Sequence, residues 1–176
     1  MDTPAPSIIA RLLGTDTQNR LLLGQRLLLA AVMLPHGAQK LLGWFGGFGF
    51  QATMGYFTGT LHIPAPLALL VIVAESIGAL GLAFGLLSRV AGFGLFATMA
   101  GAALMSHLDN GFFMNWFGAQ KGEGFEYHLL AMALALPIVL AGGGKYALDT
   151  WLARKLGERF SRRAAGAAVA LATPAR

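Results

Sequence analysis

Six ionisable side chains lie within stretches of the sequence that are otherwise almost wholly apolar. Because a charge is costly inside a hydrocarbon layer, each such residue is expected to be either a functional group or half of a structural pair. The six are Arg26, His36, Lys40, Glu75, His107 and His128. A carboxylate accepts protons, and imidazoles exchange them near neutral pH, so this set predicts proton chemistry in an apolar setting.

Four apolar stretches carry these residues. Each is close to the roughly 20 residues that a helix needs to cross a hydrocarbon layer of about 30 Å. They are predicted as Leu21–Leu42, Pro64–Leu87, Arg89–Leu108 and Tyr127–Gly143. The chain is 56% hydrophobic and only 12% charged, against about 25% charged residues in soluble domains. Since none of the stretches alternates with a period of two, we predict an all-α integral membrane protein, a four-transmembrane-helix bundle.

Depth along the predicted helices gathers four of the six residues into one layer. Counted from the predicted cytoplasmic ends, the acid and the three histidines lie at about 19 to 27 Å, whereas Arg26 lies at about 9 Å and Lys40 at about 30 Å. One hypothesis is a polar pocket in which Glu75 accepts protons and the histidines form hydrogen bonds or relay protons; its catalytic residues are Glu75, His36, His107 and His128. The alternative pairs Glu75 with Arg26 or Lys40 as a buried structural bridge and treats His107 and His128 as helix-boundary residues.

Two connections on the predicted outer side, residues 43–62 and 108–128, are rich in aromatic side chains. Aromatic residues favour the headgroup level of a bilayer, so we expect these connections to form a lid over the outer mouth of the bundle. Together with the charged groups of the first helix, they supply the residues predicted to contact a bound cofactor. These are Arg26, Lys40, Trp44, Asn115, Trp116 and Glu126.

The sequence also limits the cofactor. It contains no cysteine, which excludes a dithiol centre, thiolate zinc and a cysteine-held iron–sulfur cluster within this chain. Two histidines facing each other in a helical bundle are one arrangement that ligates haem, but nothing specific in the sequence favours it. The histidines lack the close spacing of a metal-binding helix, so no metal site is predicted.

Positive charge is concentrated at the chain ends and in one turn, which by the positive-inside rule places both termini in the cytoplasm. The basic residues in these regions include Arg11, Arg20, Arg89, Lys145, Arg154, Lys155, Arg159, Arg162, Arg163 and Arg176. The predicted organisation is a polar lead-in (1–19), a membrane domain (20–145) and a basic amphipathic cytoplasmic tail (146–176). The tail is predicted to form an interfacial helix; anionic lipid accounts for its charge, and no nucleic acid is needed.

Three blocks of the sequence resemble the DoxX family. They are RLLLAAVMLPHGAQKLLGWFGG, IPAPLALLVIVAESIGALGLAFGLLSRVAG and HLDNGFFMNWFGAQKGEGFEYHLLAMALAL, and the resemblance covers about Arg20 to Asp149. It implies a four-helix protein of the bacterial inner membrane, often linked to quinone or sulfur redox metabolism and to resistance to oxidants. Some members of the family are described as anchors for soluble redox enzymes.

The leading functional prediction is therefore a quinone-associated redox subunit, in which an apolar ring head reaches the polar pocket and a partner or bound cofactor delivers electrons. The alternative is a non-enzymatic membrane anchor or assembly factor for a soluble redox enzyme. A small transporter is less attractive, because the sequence shows no pair of broken half-helices. The lipid bilayer is the expected partner, and the sequence leaves homo-oligomerisation open.

Overall fold

A computed structural model describes residues 8–158, in which every regular element is helical. The helices are α1 (Ile8–Leu13), α2 (Arg20–Leu42), α3 (Gly49–Gly55, continued by a π-helical turn Tyr56–Thr60), α4 (Ala65–Phe84), α5 (Ser88–Asn110), α6 (Glu126–Ala141) and α7, which begins at 148 and is described as far as 158. We call the end of the bundle that holds α1, the turn at 85–87 and residues 142–149 the tail end. The opposite end, which carries α3 and residues 111–125, is the loop end.

Three of the four predicted membrane segments are long and apolar enough to cross a bilayer. Helices α2, α4 and α5 contain 23, 20 and 23 residues. Helix α6 contains 16 residues, about 24 Å of rise, which is less than a hydrocarbon layer of about 30 Å. The helical membrane fold is thus confirmed, whereas a complete fourth span stays a prediction.

Apolar side chains divide cleanly between the interior and the outer surface of the bundle. Leu29, Met33, Leu82, Leu95 and Ile138 are fully buried and form a core that α2, α4, α5 and α6 share. Large apolar side chains of α4, α5 and α6 point outward instead, among them Leu70, Ile77, Phe93, Leu104 and Leu140. An apolar surface of this extent requires lipid as its solvent.

The boundaries of α2 follow from local chemistry. The Asn19 side chain accepts a hydrogen bond from the Leu22 backbone N–H, which satisfies one of the free donors at a helix start. Gly43 ends the helix in the left-handed conformation, with φ of +74°. These signals explain why the predicted first stretch and the observed helix agree.

Most of the connection 43–62 is helical, since α3 and its π-helical turn together span 49–60. Gly46 and Gly49 have positive φ values and turn the chain sharply after α2. Gly47 lies so close to the backbone of Gln39 that a methyl group there would collide with it. The turn therefore folds α3 back onto the end of α2.

Two charged side chains, the buried Asp149 and the half-buried Arg89, close the tail end. Asp149 is 1% exposed and accepts hydrogen bonds from the backbone N–H groups of Leu87 and Ser88, at the start of α5. The Arg89 guanidinium donates to the carbonyl oxygens of Val139 and Leu140, at the end of α6. Because free helix-end groups must be satisfied, these contacts fix the ends of both helices.

The predicted tail therefore begins inside the bundle, where Ala147 and Asp149 are buried. Beyond them, Trp151, Arg154 and Lys155 of α7 are exposed, while Leu152 and Leu156 are half-buried. The position of α7 at the lipid interface stays a prediction. The remaining tail residues used in it, including Arg159, Phe160, Arg162 and Arg163, lie outside the described residues.

Candidate functional site

Glu75 of α4 forms an ion pair with Lys40 of α2. The Lys40 Nζ lies 2.5 Å from the Glu75 Oε2, and the two side chains are 25% and 4% exposed. A Cβ on Gly37 would collide with the Glu75 backbone carbonyl, so only glycine allows α2 and α4 to approach this closely. Of the two partners that sequence alone offers Glu75, the structure selects Lys40.

Two of the candidate residues lie in π-helical turns. Glu75 belongs to the turn Ala74–Gly78 within α4, and His107 ends the turn Ala103–His107 within α5. Such turns are rare, widen the helix locally and occur often at functional sites. They are one physical feature that sets Glu75 and His107 apart from ordinary helix positions.

His36 lies between the ion pair and the aromatic ring of Tyr127. His36 and Lys40 are four positions apart on α2, so their side chains lie on the same face of the helix. The centroids of the His36 and Tyr127 rings are 6.0 Å apart, and the Tyr127 hydroxyl donates to the Met33 sulfur at 3.5 Å. Tyr127 therefore connects α6 to the polar side of α2.

His128 and His107 continue the same series. The His128 ring packs edge-on against Tyr127 with centroids 5.5 Å apart, and it contacts the His107 ring with centroids 4.2 Å apart. The His107 Nδ1 lies 2.8 Å from the Glu123 carbonyl oxygen; because a carbonyl only accepts, Nδ1 carries the proton in this contact. The His128 Nδ1 is buried and makes no well-aligned hydrogen bond within the described residues. The Phe125 backbone is its polar neighbour.

The structure thus brings together all four residues predicted to be catalytic, and adds Lys40 and Tyr127. We call this set the polar series. It consists of Lys40, Glu75, His36, Tyr127, His128 and His107; Lys40 pairs with Glu75 and lies four positions after His36 on α2, and ring contacts join His36, Tyr127, His128 and His107 in that order. The prediction missed Tyr127 because its phenol does not titrate near neutral pH; the available signal was its place beside His128 at the start of α6.

A cleft of about 620 Å³ opens next to Lys40, between the end of α2 and α3. Its walls combine aromatic, small and polar side chains. The lining residues are Gln39, Lys40, Gly46, Gly47, Phe48, Ala52, Thr53, Tyr56 and Phe57. Lys40 is therefore shared by the cleft and the polar series.

Arg26 does not join this site. Its guanidinium is 2% exposed and donates to the carbonyls of Leu82, Ala83, Gly143 and Lys145, at the tail end. It lies 14 positions before Lys40 on α2, about 21 Å along the helix. Its contacts give it a structural role at the tail end.

The other residues predicted to contact a cofactor lie at the surface or in the second connection. Trp44 and Trp116 are 59% and 79% exposed. Asn115 organises the connection itself, since its side chain exchanges hydrogen bonds with the Gln120 backbone. Glu126 is half-buried at the start of α6, one residue before Tyr127.

Packing also bears on the metal and haem alternatives. Between residues 8 and 158 no three His, Cys, Asp or Glu side chains are grouped as metal ligands would be. The rings of His107 and His128 contact each other directly, so a haem does not fit between this pair. The polar series brings together groups that can take up and release protons, namely a carboxylate, an amine, a phenol and three imidazoles.

This fold and its interior define a multi-pass membrane protein whose helical bundle encloses titratable side chains. A family model described as DoxX matches residues 21–108, half of the chain, and the chain belongs to the DoxX family. The match includes His36, Lys40, Glu75 and His107 but ends before Tyr127 and His128. Neither curated proteins nor solved structures gave a match to this chain.

Proposed function

We propose that the protein is a quinone-associated redox component of a bacterial inner membrane, with both chain ends in the cytoplasm, and that its polar series handles the protons of quinone chemistry. The observation that carries this proposal is the row of six titratable side chains from Lys40 to His107, buried or half-buried in an apolar bundle. A structural pair accounts for Lys40 and Glu75, and a boundary role accounts for His107, which bonds to the Glu123 carbonyl. Neither accounts for the ring contacts of His36 and His128 with Tyr127. Titratable groups in series within a membrane bundle are typical of proton pathways.

The redox chemistry would be that of a bound quinone, whose reduction to the quinol requires two electrons and two protons. The two electrons come from a separate soluble oxidoreductase. Residues of this chain supply the protons: His107, half-buried at the loop end, exchanges them with water, and His128, Tyr127 and His36 connect it to Glu75. Among the described residues these rings contact one another without a hydrogen bond between them, so proton transfer between neighbours requires an intervening water.

The first test is whether the purified protein holds quinone. We expect protein extracted in mild detergent with native lipid to contain about one quinone per chain, well above the content of an unrelated membrane protein prepared from the same cells. Quantification by chromatography and mass spectrometry checks this. Equal quinone content in the two preparations, together with no binding of added quinone, would contradict the proposal.

A second candidate function is a membrane anchor for a soluble redox enzyme, which the exposed Trp151, Arg154 and Lys155 of α7 favour. Truncation after Thr150 removes this surface and keeps the helix-capping carboxylate of Asp149. An anchor whose partner binds α7 would lose that partner on truncation and keep its stability. If quinone content is unchanged in the truncated chain, the two functions reside in separate parts of the protein.

A further inference from the structure

The cleft between α2 and α3 has the properties of a binding site for a small, flat, amphipathic molecule. Its volume of about 620 Å³ falls within the range of about 300 to 1,000 Å³ that small-molecule sites occupy. Phe48, Tyr56 and Phe57 provide aromatic walls, and Lys40 and Thr53 provide polar groups. Apolar walls with a few polar anchors are the usual composition of such sites.

Lys40 is the anchor that gives the cleft its chemical preference. Its ammonium carries three donors and no acceptor, and one donor engages the Glu75 carboxylate. The Lys40 side chain is 25% exposed, whereas that of Glu75 is 4% exposed, so Lys40 is the member of the pair that faces the cleft. Its remaining donors are suited to a carbonyl or phenolate oxygen.

Small residues keep the cleft open on the side of α3. The Cβ position of Gly46 has no neighbour within 4 Å, and Ala52 is exposed on the lining face of α3. Phe48 is 85% exposed at the start of α3, where it meets lipid or the headgroup layer. If a ring is bound in the cleft, an alkyl chain attached to it can therefore extend out of the cleft along an apolar surface.

We propose that this cleft binds the oxygen-bearing ring of a quinone with an alkyl chain, with a ring oxygen accepting a hydrogen bond from the Lys40 ammonium. The inference rests on the proposed function and adds the location to it. Such a ring lies between aromatic walls while one oxygen contacts the residue that also holds Glu75. Lys40 is thus a binding residue that joins the ligand to the polar series.

The test uses steric closure of the cleft from its exposed rim. Ala52→Trp fills the cleft, whereas Gln51→Trp adds the same ring to the neighbouring exposed position, which does not line it. Titration of decylubiquinone into the full-length protein in nanodiscs should show dissociation constants for Ala52→Trp and Lys40→Met that are at least about tenfold higher than for the wild type. Gln51→Trp should bind like the wild type, and both tryptophan variants should keep the wild-type unfolding temperature.

A photoreactive azidoquinone with a decyl chain supplies a measurement that needs no variant. Labelling of residues 39–57, identified by mass spectrometry, is the expected result. Labelling confined to α6, or unchanged affinity in Ala52→Trp, would overturn the cleft assignment while leaving quinone binding itself intact. A wild-type protein that binds no decylubiquinone would instead overturn both the cleft and the proposed function.

Discussion

The double variant Lys40→Met/Glu75→Gln is expected to regain most of the stability that Lys40→Met alone loses, and still to fail in quinone binding. Lys40→Met leaves the buried Glu75 carboxylate without its cation, at a cost of about 3 kcal/mol that proton uptake by the carboxylate limits. Glu75→Gln should cost less, because Lys40, with a 25% exposed side chain, can turn its ammonium toward water. In the double variant neither charge is present, so no buried charge is left without a partner.

The two readouts separate structure from function. Free energies of unfolding come from denaturation in mixed micelles, and affinities come from decylubiquinone titration of each folded variant. If the ion pair were only structural, the double variant would recover quinone affinity together with stability. That recovery, or equal stability of all four proteins, would contradict the assignment of Lys40 to both the cleft and the ion pair.

Arg26→Met is expected to lower the free energy of unfolding by about 3 kcal/mol or more, because it leaves buried carbonyl groups without a donor. One guanidinium donates hydrogen bonds to carbonyl oxygens at the end of α4 and in the 143–145 segment. An apolar side chain in its place cannot donate to them. Arg26→Lys should recover part of the loss, since an ammonium donates but lacks the planar fork. Arg20→Met, at the exposed start of α2, is the matched control and should be near neutral.

Quinone affinity decides whether Arg26 acts only on the fold. Folded Arg26→Lys protein should bind decylubiquinone as the wild type does, because Arg26 bonds to groups at the tail end and the cleft lies at the loop end. A selective loss of affinity with stability retained would return Arg26 to the cofactor-binding residues that the sequence predicted. A neutral effect of Arg26→Met on unfolding would show that other groups satisfy those carbonyls.

The sequence predicts the helices well because a membrane helix is encoded locally, in about 20 consecutive apolar residues. It also places Glu75 and the histidines at a common depth, since depth depends only on rise per residue. Which face each helix presents depends on close approaches such as Gly37 against the Glu75 carbonyl, and the sequence does not mark these. For the same reason, the sequence alone does not decide whether Lys40 or Arg26 is the partner of Glu75.

Two further features depend on tertiary structure. Helix α3 forms where glycine turns fold the chain back onto α2, and a segment rich in glycine and aromatic residues is typical of an interfacial loop when viewed alone. Arg26 has the sequence context of an intramembrane functional charge, yet its partners are backbone carbonyls from other helices and turns. Backbone acceptors are present at every residue, so no side-chain pattern identifies which of them a buried arginine will use.

Infrared difference spectroscopy on quinone binding and reduction is the most direct test of the claim that Glu75 and the histidines handle the protons. Reduction of decylubiquinone bound to the wild-type protein in nanodiscs should change a carboxyl band that disappears in Glu75→Gln, and imidazole bands that weaken in His128→Phe. Glu123→Gln, at the loop end, should leave these bands unchanged. Identical difference spectra for wild type, Glu75→Gln and His128→Phe would contradict the account and leave the polar series as a structural feature of the bundle.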